Sequence, residues 1–190
     1  MRAAVAVFPG TWSDRDCEWA LQQVGIVSRR VWHRDVPSFD RDELVVLPGG
    51  FSYGDYLRCG AIARFSPLMA AVRDHATAGG LVIGICNGFQ ILCEAGLLPG
   101  VLMRNSSLEF RCQDSLLRPE SRISPFTDHL DPSSFLRIPV SHGEGNYYVD
   151  DVTLHDLEAE DRVAFRYVDA QGNLTSEANP NGSRNNIAGI

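Results

Sequence analysis

Short apolar runs and amphipathic segments alternate along the first half of the chain. Runs of consecutive apolar residues that end at Gly or Pro are typical of buried strands, whereas apolar residues three and four positions apart are typical of helices. Strands that alternate with helices in this way predict an α/β fold, with a mostly parallel central sheet covered by helices on both faces. The predicted strands are 3–8, 27–32, 44–47 and 81–84, and the predicted helices are 14–24, 62–76 and a segment that begins after residue 88.

The second half of the chain has a different pattern, in which short apolar stretches are separated by polar turns. This pattern predicts an additional, smaller antiparallel β portion. The sequence contains no internal repeat, low-complexity segment or interdomain linker, so we expect a single domain over residues 1–190. Strands are predicted at 101–103, 108–117, 135–140, 163–168 and 187–190, and one short helix is predicted at 150–157.

Residues 81–88, Leu-Val-Ile-Gly-Ile-Cys-Asn-Gly, have the features of a nucleophile elbow. An apolar run ends at Gly84, and Cys86 follows at the centre of a Gly-x-Cys-x-Gly pentapeptide that leads into a helical pattern. A side chain at position 84 or 88 would crowd such a turn. The N-terminus of the following helix favours a thiolate and a developing oxyanion. A cysteine buried at the end of a strand is the alternative interpretation.

Two other glycine-containing turns follow predicted parallel strands, Pro-Gly at 9–10 and Gly-Gly at 49–50. The ligand crevice of a parallel sheet lies beyond the carboxyl ends of its strands. Because Cys86 also follows such a strand, we expect these three segments to form one site.

A nucleophile that attacks a carboxamide or an ester needs main-chain donors for the oxyanion. The N–H of Asn87 is one candidate donor, and the N–H of Gly50 or Phe51 is a second; an ordinary strand–helix turn at 49–50 is the alternative. Gln90 lies one helical turn after Cys86 on the same face. Its side chain is therefore predicted either to bind substrate or to bond the local backbone.

Composition and charge exclude several classes of protein. The chain is 44% hydrophobic with a net charge of −7 and no Lys/Arg cluster, which argues against a nucleic-acid-binding face. Its apolar runs are too short to span a membrane, and the first residues indicate a strand instead of a secretory signal. Five scattered cysteines without a Cys-x-x-Cys pair favour reduced thiols over disulfides or a zinc site. We therefore expect a soluble cytoplasmic protein without a metal.

Residues 139–148, Pro-Val-Ser-His-Gly-Glu-Gly-Asn-Tyr-Tyr, form a second cluster of polar and glycine residues. Glycines separate His142 from Glu144 and follow Glu144, so both side chains can face a cleft. His142 is the candidate base within the chain, although a histidine in a Gly-rich loop is more typically a binding or hydrogen-bonding residue. The remaining histidines are predicted to be surface residues: His33, His75, His129 and His155.

Three segments together resemble the class I, or triad, glutamine amidotransferases. They are Gly-Ile-Cys-Asn-Gly-Phe-Gln at 84–90, Pro-Gly-Gly-Phe-Ser-Tyr-Gly-Asp-Tyr-Leu-Arg at 48–58, and His-Gly-Glu-Gly-Asn-Tyr-Tyr at 142–148. Within that family they resemble the glutaminase subunits of phosphoribosylformylglycinamidine synthase, an enzyme of de novo purine biosynthesis. The resemblance extends through essentially the whole chain.

The resemblance implies that Cys86 attacks the side-chain amide of glutamine, forms a glutamyl thioester and releases ammonia. It also implies that the N–H groups of Gly50 and Asn87 hold the oxyanion. The implied glutamine-binding groups are Gln90 and the backbone around Ser141 and His142.

The same resemblance implies that ammonia passes to a larger synthase subunit. That subunit would use ATP to convert formylglycinamide ribonucleotide to formylglycinamidine ribonucleotide, and a small third subunit would bridge the two. ATP and magnesium are therefore expected in the partner, and no cofactor is expected in this chain, which has no P-loop.

The sequence departs from the family pattern at one point. In the family, the base and its orienting acid lie in a Pro-His-Pro-Glu motif that shortly follows a segment like 186–190, and residues 1–190 contain no such motif. We therefore expect a C-terminally incomplete domain, and the 190-residue chain is expected to lack efficient glutaminase activity. The alternatives are a docking subunit that lacks a base and a cysteine hydrolase of similar topology, against which the loop at 49–53 argues.

Overall fold

A computed structural model describes residues 1–190, which form two compact units, Met1–Leu98 and Pro99–Ile190. The first unit contains four strands and three helices that alternate along the chain. They are β1 (Arg2–Val7), α1 (Asp14–Gln23), β2 (Val27–Trp32), β3 (Glu43–Leu47), α2 (Pro67–Thr77), β4 (Val82–Gly84) and α3 (Asn87–Glu94).

The four strands form one parallel sheet in the order β2-β1-β3-β4. Alternate residues of a strand face opposite sides of the sheet. Accordingly, Ala4 and Ala6 pack in a core with apolar residues of α2 and α3. Ala3 and Val5 pack on the opposite face with residues of α1. The predicted α/β architecture with helices on both faces is confirmed.

The second unit is mainly antiparallel, as the pattern of the second half predicts. One four-stranded sheet has the order β10-β9-β6-β7, and a separate pair joins β5 to β8. The single-domain organisation stays a prediction. The elements are β5 (Val101–Met103), β6 (Arg111–Pro119), β7 (Leu136–His142), β8 (Asn146–Tyr148), α4 (Asp151–Ala159), β9 (Phe165–Val168) and β10 (Ile187–Gly189).

The predicted helix at 62–76 begins later than expected. Residues Ala63–Phe65 form a short 3-10 turn, and Ser66 is extended with ψ of 143°. Pro67 then occupies the first position of α2, where its fixed φ and missing N–H suit a helix start. The apolar pattern at 62–76 therefore continues across Pro67, whereas the helix begins only at that proline.

Candidate active site

Cys86 stands between β4 and α3 in a backbone conformation that few residues with side chains adopt. Its φ is 54° and its ψ is −111°, which lies outside the regions that L-residues normally occupy. A strained turn of this kind exposes the nucleophile at the end of the strand. Because Cys86 is solvent-exposed, the alternative of a buried cysteine is wrong.

The glycines on either side of Cys86 permit close approach of α3 to the sheet. A methyl group on Gly88 would lie 1.9 Å from the carbonyl oxygen of Leu47, and one on Gly84 would lie 2.6 Å from the carbonyl oxygen of Gly88. Neither contact is sterically possible. The predicted reason for glycine at both positions is therefore confirmed.

The three turns predicted to form one site lie together at the carboxyl ends of β1, β3 and β4. The N–H of Phe51 donates to the carbonyl of Gly10 at 2.9 Å. A methyl group on Gly49 would contact the Cβ of Cys86 at 3.4 Å. The turn at 49–50 therefore contacts both the nucleophile and the turn at 9–10.

Gly50 has a conformation and surroundings that exclude other residues. Its φ is 143°, and it pairs with Thr11 in an isolated antiparallel bridge. A side chain there would place its Cβ 2.7 Å from the carbonyl oxygen of Gly10 and 2.8 Å from the backbone nitrogen of Trp12. Glycine is thus required at the position predicted to supply the second oxyanion donor.

The Cys86 thiol experiences opposing influences. Partial burial of the sulfur is the largest and raises the pKa, and the carboxylate of Asp55 adds to that rise. Hydrogen bonds from the backbone N–H groups of Asn87 and Gly50 lower the pKa. The net pKa is above the usual thiol value, so the two hydrogen bonds do not offset the effect of burial. When the sulfur bonds to a carbonyl carbon, the oxygen of that carbonyl lies close to the two N–H groups that point at the sulfur.

Gln90 is buried on α3, and its side chain is held by a neighbouring amide. Asn87 Nδ2 donates to Gln90 Oε1 at 2.9 Å. This partner is a side chain of the same helix. Its proposed contact with glutamine stays a prediction.

The loop between β3 and α2 is held by side chains that sequence reasoning missed. Tyr53 and Asp55 have φ of 54° and 55°, and both flank Gly54. The Tyr53 hydroxyl contacts Nδ1 of His33 at 2.7 Å and Oγ of Ser66 at 3.0 Å. No local sequence signal joins residues that are 20 and 13 positions apart, so only the fold reveals this group.

Two histidines predicted to be on the surface are buried. His33 directly follows β2 and bonds Tyr53, whereas His75 lies on the inner face of α2 with Nε2 2.9 Å from the carbonyl oxygen of Glu43. Burial lowers the pKa of His33, and the positive charge of Arg34 adds to that effect. The surface prediction failed because each imidazole has a hydrogen-bonding partner that is distant in sequence.

Ser141 and His142 belong to the second unit, at the end of β7. Ser141 pairs with Cys112 of β6, and His142 pairs with Arg111. The carbonyl oxygen of His142 accepts a hydrogen bond from Asn105 Nδ2 at 2.8 Å. The glutamine-binding role of these two residues stays a prediction.

The hydrogen bonds around His142 define the protonation of its ring. The backbone N–H of Ser183 donates to Asn181 Oδ1 at 3.0 Å, so the amide nitrogen of Asn181 faces His142 Nε2 at 2.9 Å. That nitrogen can only donate, hence Nε2 accepts and the imidazole is neutral with its proton on Nδ1. Burial likewise lowers the His142 pKa. These bonds favour a hydrogen-bonding role for His142 over the role of a base.

No group of three or more His, Cys, Asp or Glu side chains in the structure has the arrangement of a metal site. None of its helices combines the length and hydropathy required to cross a bilayer.

Comparison with known proteins identifies relatives over the full chain. A family model described as a CobB/CobQ-like glutamine amidotransferase domain matches residues 1–190. The phosphoribosylformylglycinamidine synthase subunit PurQ of Thermosynechococcus vestitus is 54% identical over 191 residues, which cover 100% of this chain and 79% of that protein. The corresponding subunit of Salinibacter ruber is 55% identical over 190 residues, covering 100% of this chain and 80% of that protein.

A solved structure is similar as well. The structure of PurLQS from Thermotoga maritima contains a chain that matches with a TM-score of 0.82 and 41% identity, covering 98% of this chain and 79% of that one. The resemblance inferred from the elbow and the two glycine-containing loops is therefore confirmed. The chain belongs to the PurQ family of phosphoribosylformylglycinamidine synthase subunits, which are glutamine amidotransferases of purine biosynthesis.

Proposed function

We propose that this chain hydrolyses glutamine to glutamate and ammonia through a thioester on Cys86, and that a synthase subunit consumes the ammonia. The observation that supports this proposal most directly is the strained, solvent-exposed residue Cys86 at the carboxyl end of a parallel sheet, with the main-chain N–H groups of Gly50 and Asn87 directed at its partly buried sulfur. A serine or cysteine elbow with two such donors is suited to acyl transfer.

In the first step the sulfur of Cys86 bonds to the carboxamide carbon of glutamine, and the carbonyl electron pair moves onto oxygen. The N–H groups of Gly50 and Asn87 stabilise that oxyanion. When the carbonyl re-forms, the carbon–nitrogen bond breaks, and nitrogen leaves as ammonia with the proton given up by the thiol. Water then attacks the thioester, which yields glutamate and restores the thiol. Each oxyanion donor is worth about 10²–10³ in rate.

We infer that the ammonia acceptor is a larger synthase subunit and that a small subunit bridges the two. The relative from Thermotoga maritima comes from the structure of PurLQS, which supports such an assembly. Large apolar side chains that are exposed in the segments following β1 and β3 also support a docking role for this end of the sheet. These side chains are Trp12, Phe51, Tyr56 and Leu57.

ATP and magnesium belong to the partner in this proposal, because the conversion of formylglycinamide ribonucleotide to its amidine takes place there. The proposal also places the protein in the cytoplasm, where its five free cysteines would remain reduced.

Labelling with a diazoketone analogue of glutamine tests the role of Cys86. We expect peptide mass spectrometry to find the label on Cys86 in the unmodified chain and in Cys112→Ser, which removes another exposed thiol. Cys86→Ser should remain unlabelled, and excess L-glutamine, but not D-glutamine, should slow the labelling. Equal labelling of Cys112, or no protection by L-glutamine, would refute a glutamine site at this elbow.

Ammonia release in the presence of the synthase subunit separates an enzyme from a docking subunit without a base. We expect slow ammonia release from the 190-residue chain, because residues 1–190 contain no base motif of the family, and Cys86→Ser should remove the release that remains. A Cys86 that is labelled but supports no ammonia release above that of Cys86→Ser would favour the docking subunit.

A further inference from the structure

The side chain of Asn87 joins two parts of the candidate site. Asn87 is the first residue of α3 and is only 1% exposed. Its Oδ1 accepts from the backbone N–H of Ser52 at 3.1 Å, and its Nδ2 donates to Gln90 Oε1 at 2.9 Å. The oxyanion role of Asn87 uses only its backbone N–H, so the function proposed above leaves this buried carboxamide unexplained.

The backbone of Ser52 determines how both amides are oriented. A backbone N–H can only donate, so the atom of Asn87 that faces Ser52 must be Oδ1. Nδ2 must then face α3 and can only donate, so the atom of Gln90 that meets it is Oε1. One main-chain donor in the loop therefore fixes the orientation of two side chains on the helix.

The loop that carries Gly50 has a backbone that needs external support. Gly50 has φ of 143° and Tyr53 has φ of 54°, and residues in such conformations persist only where surrounding contacts hold them. Ser52 lies between these two residues. Its hydrogen bond to Asn87 ties the loop directly to the residue that provides the other oxyanion donor.

We propose that Asn87 is a positioning residue. Its carboxamide keeps the N–H of Gly50 aligned with the N–H of Asn87 and orients Gln90 for glutamine. This inference rests on the proposed function, because it assumes that both N–H groups stabilise an oxyanion on glutamine. It adds a side chain that touches no reacting atom yet sets the geometry of groups that do.

The variant Asn87→Leu removes both side-chain bonds and retains the shape and the backbone N–H. We expect the maximal rate of Cys86 acylation by the γ-methyl ester of L-glutamate, measured as the first-turnover release of methanol, to fall about 10- to 100-fold, since a misplaced oxyanion donor is partly lost. Alkylation by iodoacetamide needs no oxyanion donor. On the high-pH plateau of this reaction, where the thiol is ionised, its rate should change less than about twofold.

The variant Asn87→Asp separates the two bonds. A carboxylate still accepts from Ser52 but cannot donate to Gln90, so the Gln90 amide must turn. Rates are compared at the plateau of each pH profile, which cancels the effect of the new charge on thiol ionisation. We expect Asn87→Asp to recover most of the acylation rate lost in Asn87→Leu, with weaker apparent affinity for the methyl ester.

Val72→Ala controls for lost stability, because Val72 is fully buried on α2 in the same unit. It should acylate at the wild-type rate. The inference would be overturned if Asn87→Leu acylated at the wild-type rate. It would also be overturned if the plateau rate of Asn87→Asp fell about 10- to 100-fold, as expected when an oxyanion donor is lost. The Asn87→Asp result decides even if the leucine variant does not fold. Failure of the unmodified chain to react with both the diazoketone analogue and the methyl ester would instead refute the proposed function.

Discussion

At the scale of single residues, Asp55 opposes the ionisation of the nucleophile. Its negative charge raises the pKa of the Cys86 thiol, in addition to the larger effect of burial. Asp55→Asn removes the charge, and asparagine tolerates the positive φ of 55° at this position. We expect the Cys86 pKa to fall, so that alkylation by iodoacetamide becomes faster near pH 8 and reaches the same plateau at high pH. The rate of Cys86 modification, measured by peptide mass spectrometry from pH 7 to 11, checks this.

A matched control for that prediction is Asp74→Asn, an exposed residue of α2 that does not act on the Cys86 thiol. Its pH profile should match that of the unmodified chain. An Asp55→Asn profile that stays in place or moves to higher pH would show that the carboxylate does not control the thiol.

The sequence predicts the reactive residue more readily than the residues that hold it. Cys86 and the N–H of Asn87 follow from a local pattern, since five consecutive residues specify the turn. The Asn87 carboxamide and the imidazole of His33 have partners that are 35 and 20 positions away. Because tertiary structure alone creates those pairs, inspection of either segment by itself could not reveal them.

At the scale of secondary-structure elements, the contact between α3 and β3 depends on Gly88. Gly88→Ala would place a methyl group 1.9 Å from the carbonyl oxygen of Leu47, which already accepts from the N–H of Ile85. A backbone atom that is held in this way cannot move aside. We expect the free energy of unfolding to fall by about 1–3 kcal/mol, as for an overpacked core, and urea denaturation measures it.

Gly143→Ala is the matched control, since its methyl group would meet nothing closer than 3.7 Å. Its unfolding free energy should remain within about 0.5 kcal/mol of the unmodified value. Equal stability of the Gly88 and Gly143 variants would contradict the close packing of the elbow helix.

The predicted elements are correct where the spacing of apolar residues and the turn residues that flank them indicate the same bounds. The strand at Val27–Trp32 and the strand at Val101–Met103 match their predicted bounds. The strand at Asn146–Tyr148 was missed, because it lies in a cluster of polar and glycine residues and has no run of aliphatic residues like the one at 101–103. The loop at 51–57 was also beyond prediction, since non-glycine residues there adopt positive φ only because distant side chains hold them.

At the scale of the whole molecule, each unit contains a histidine whose burial, complete for His33 and partial for His142, opposes protonation. Burial lowers the pKa of His33 in the first unit and of His142 in the second. The unfolded chain, with a histidine pKa of about 6.5, then binds more protons than the folded chain as the pH falls. Their contribution to stability is therefore fully present above about pH 6.5 and is lost as the pH falls toward the lowered folded values.

We expect the urea midpoint of unfolding to be lower at pH 5 than at pH 7.5, a window above the range in which most carboxylates titrate. His33→Asn retains an acceptor for Tyr53, and His142→Gln retains one for Asn181; each should make this pH dependence shallower. His129→Gln alters a histidine whose side chain is 91% exposed and should leave the dependence unchanged. A midpoint that stays constant across this window, or that depends equally on His129, would show that the buried imidazoles accept protons in the folded chain as readily as in the unfolded one.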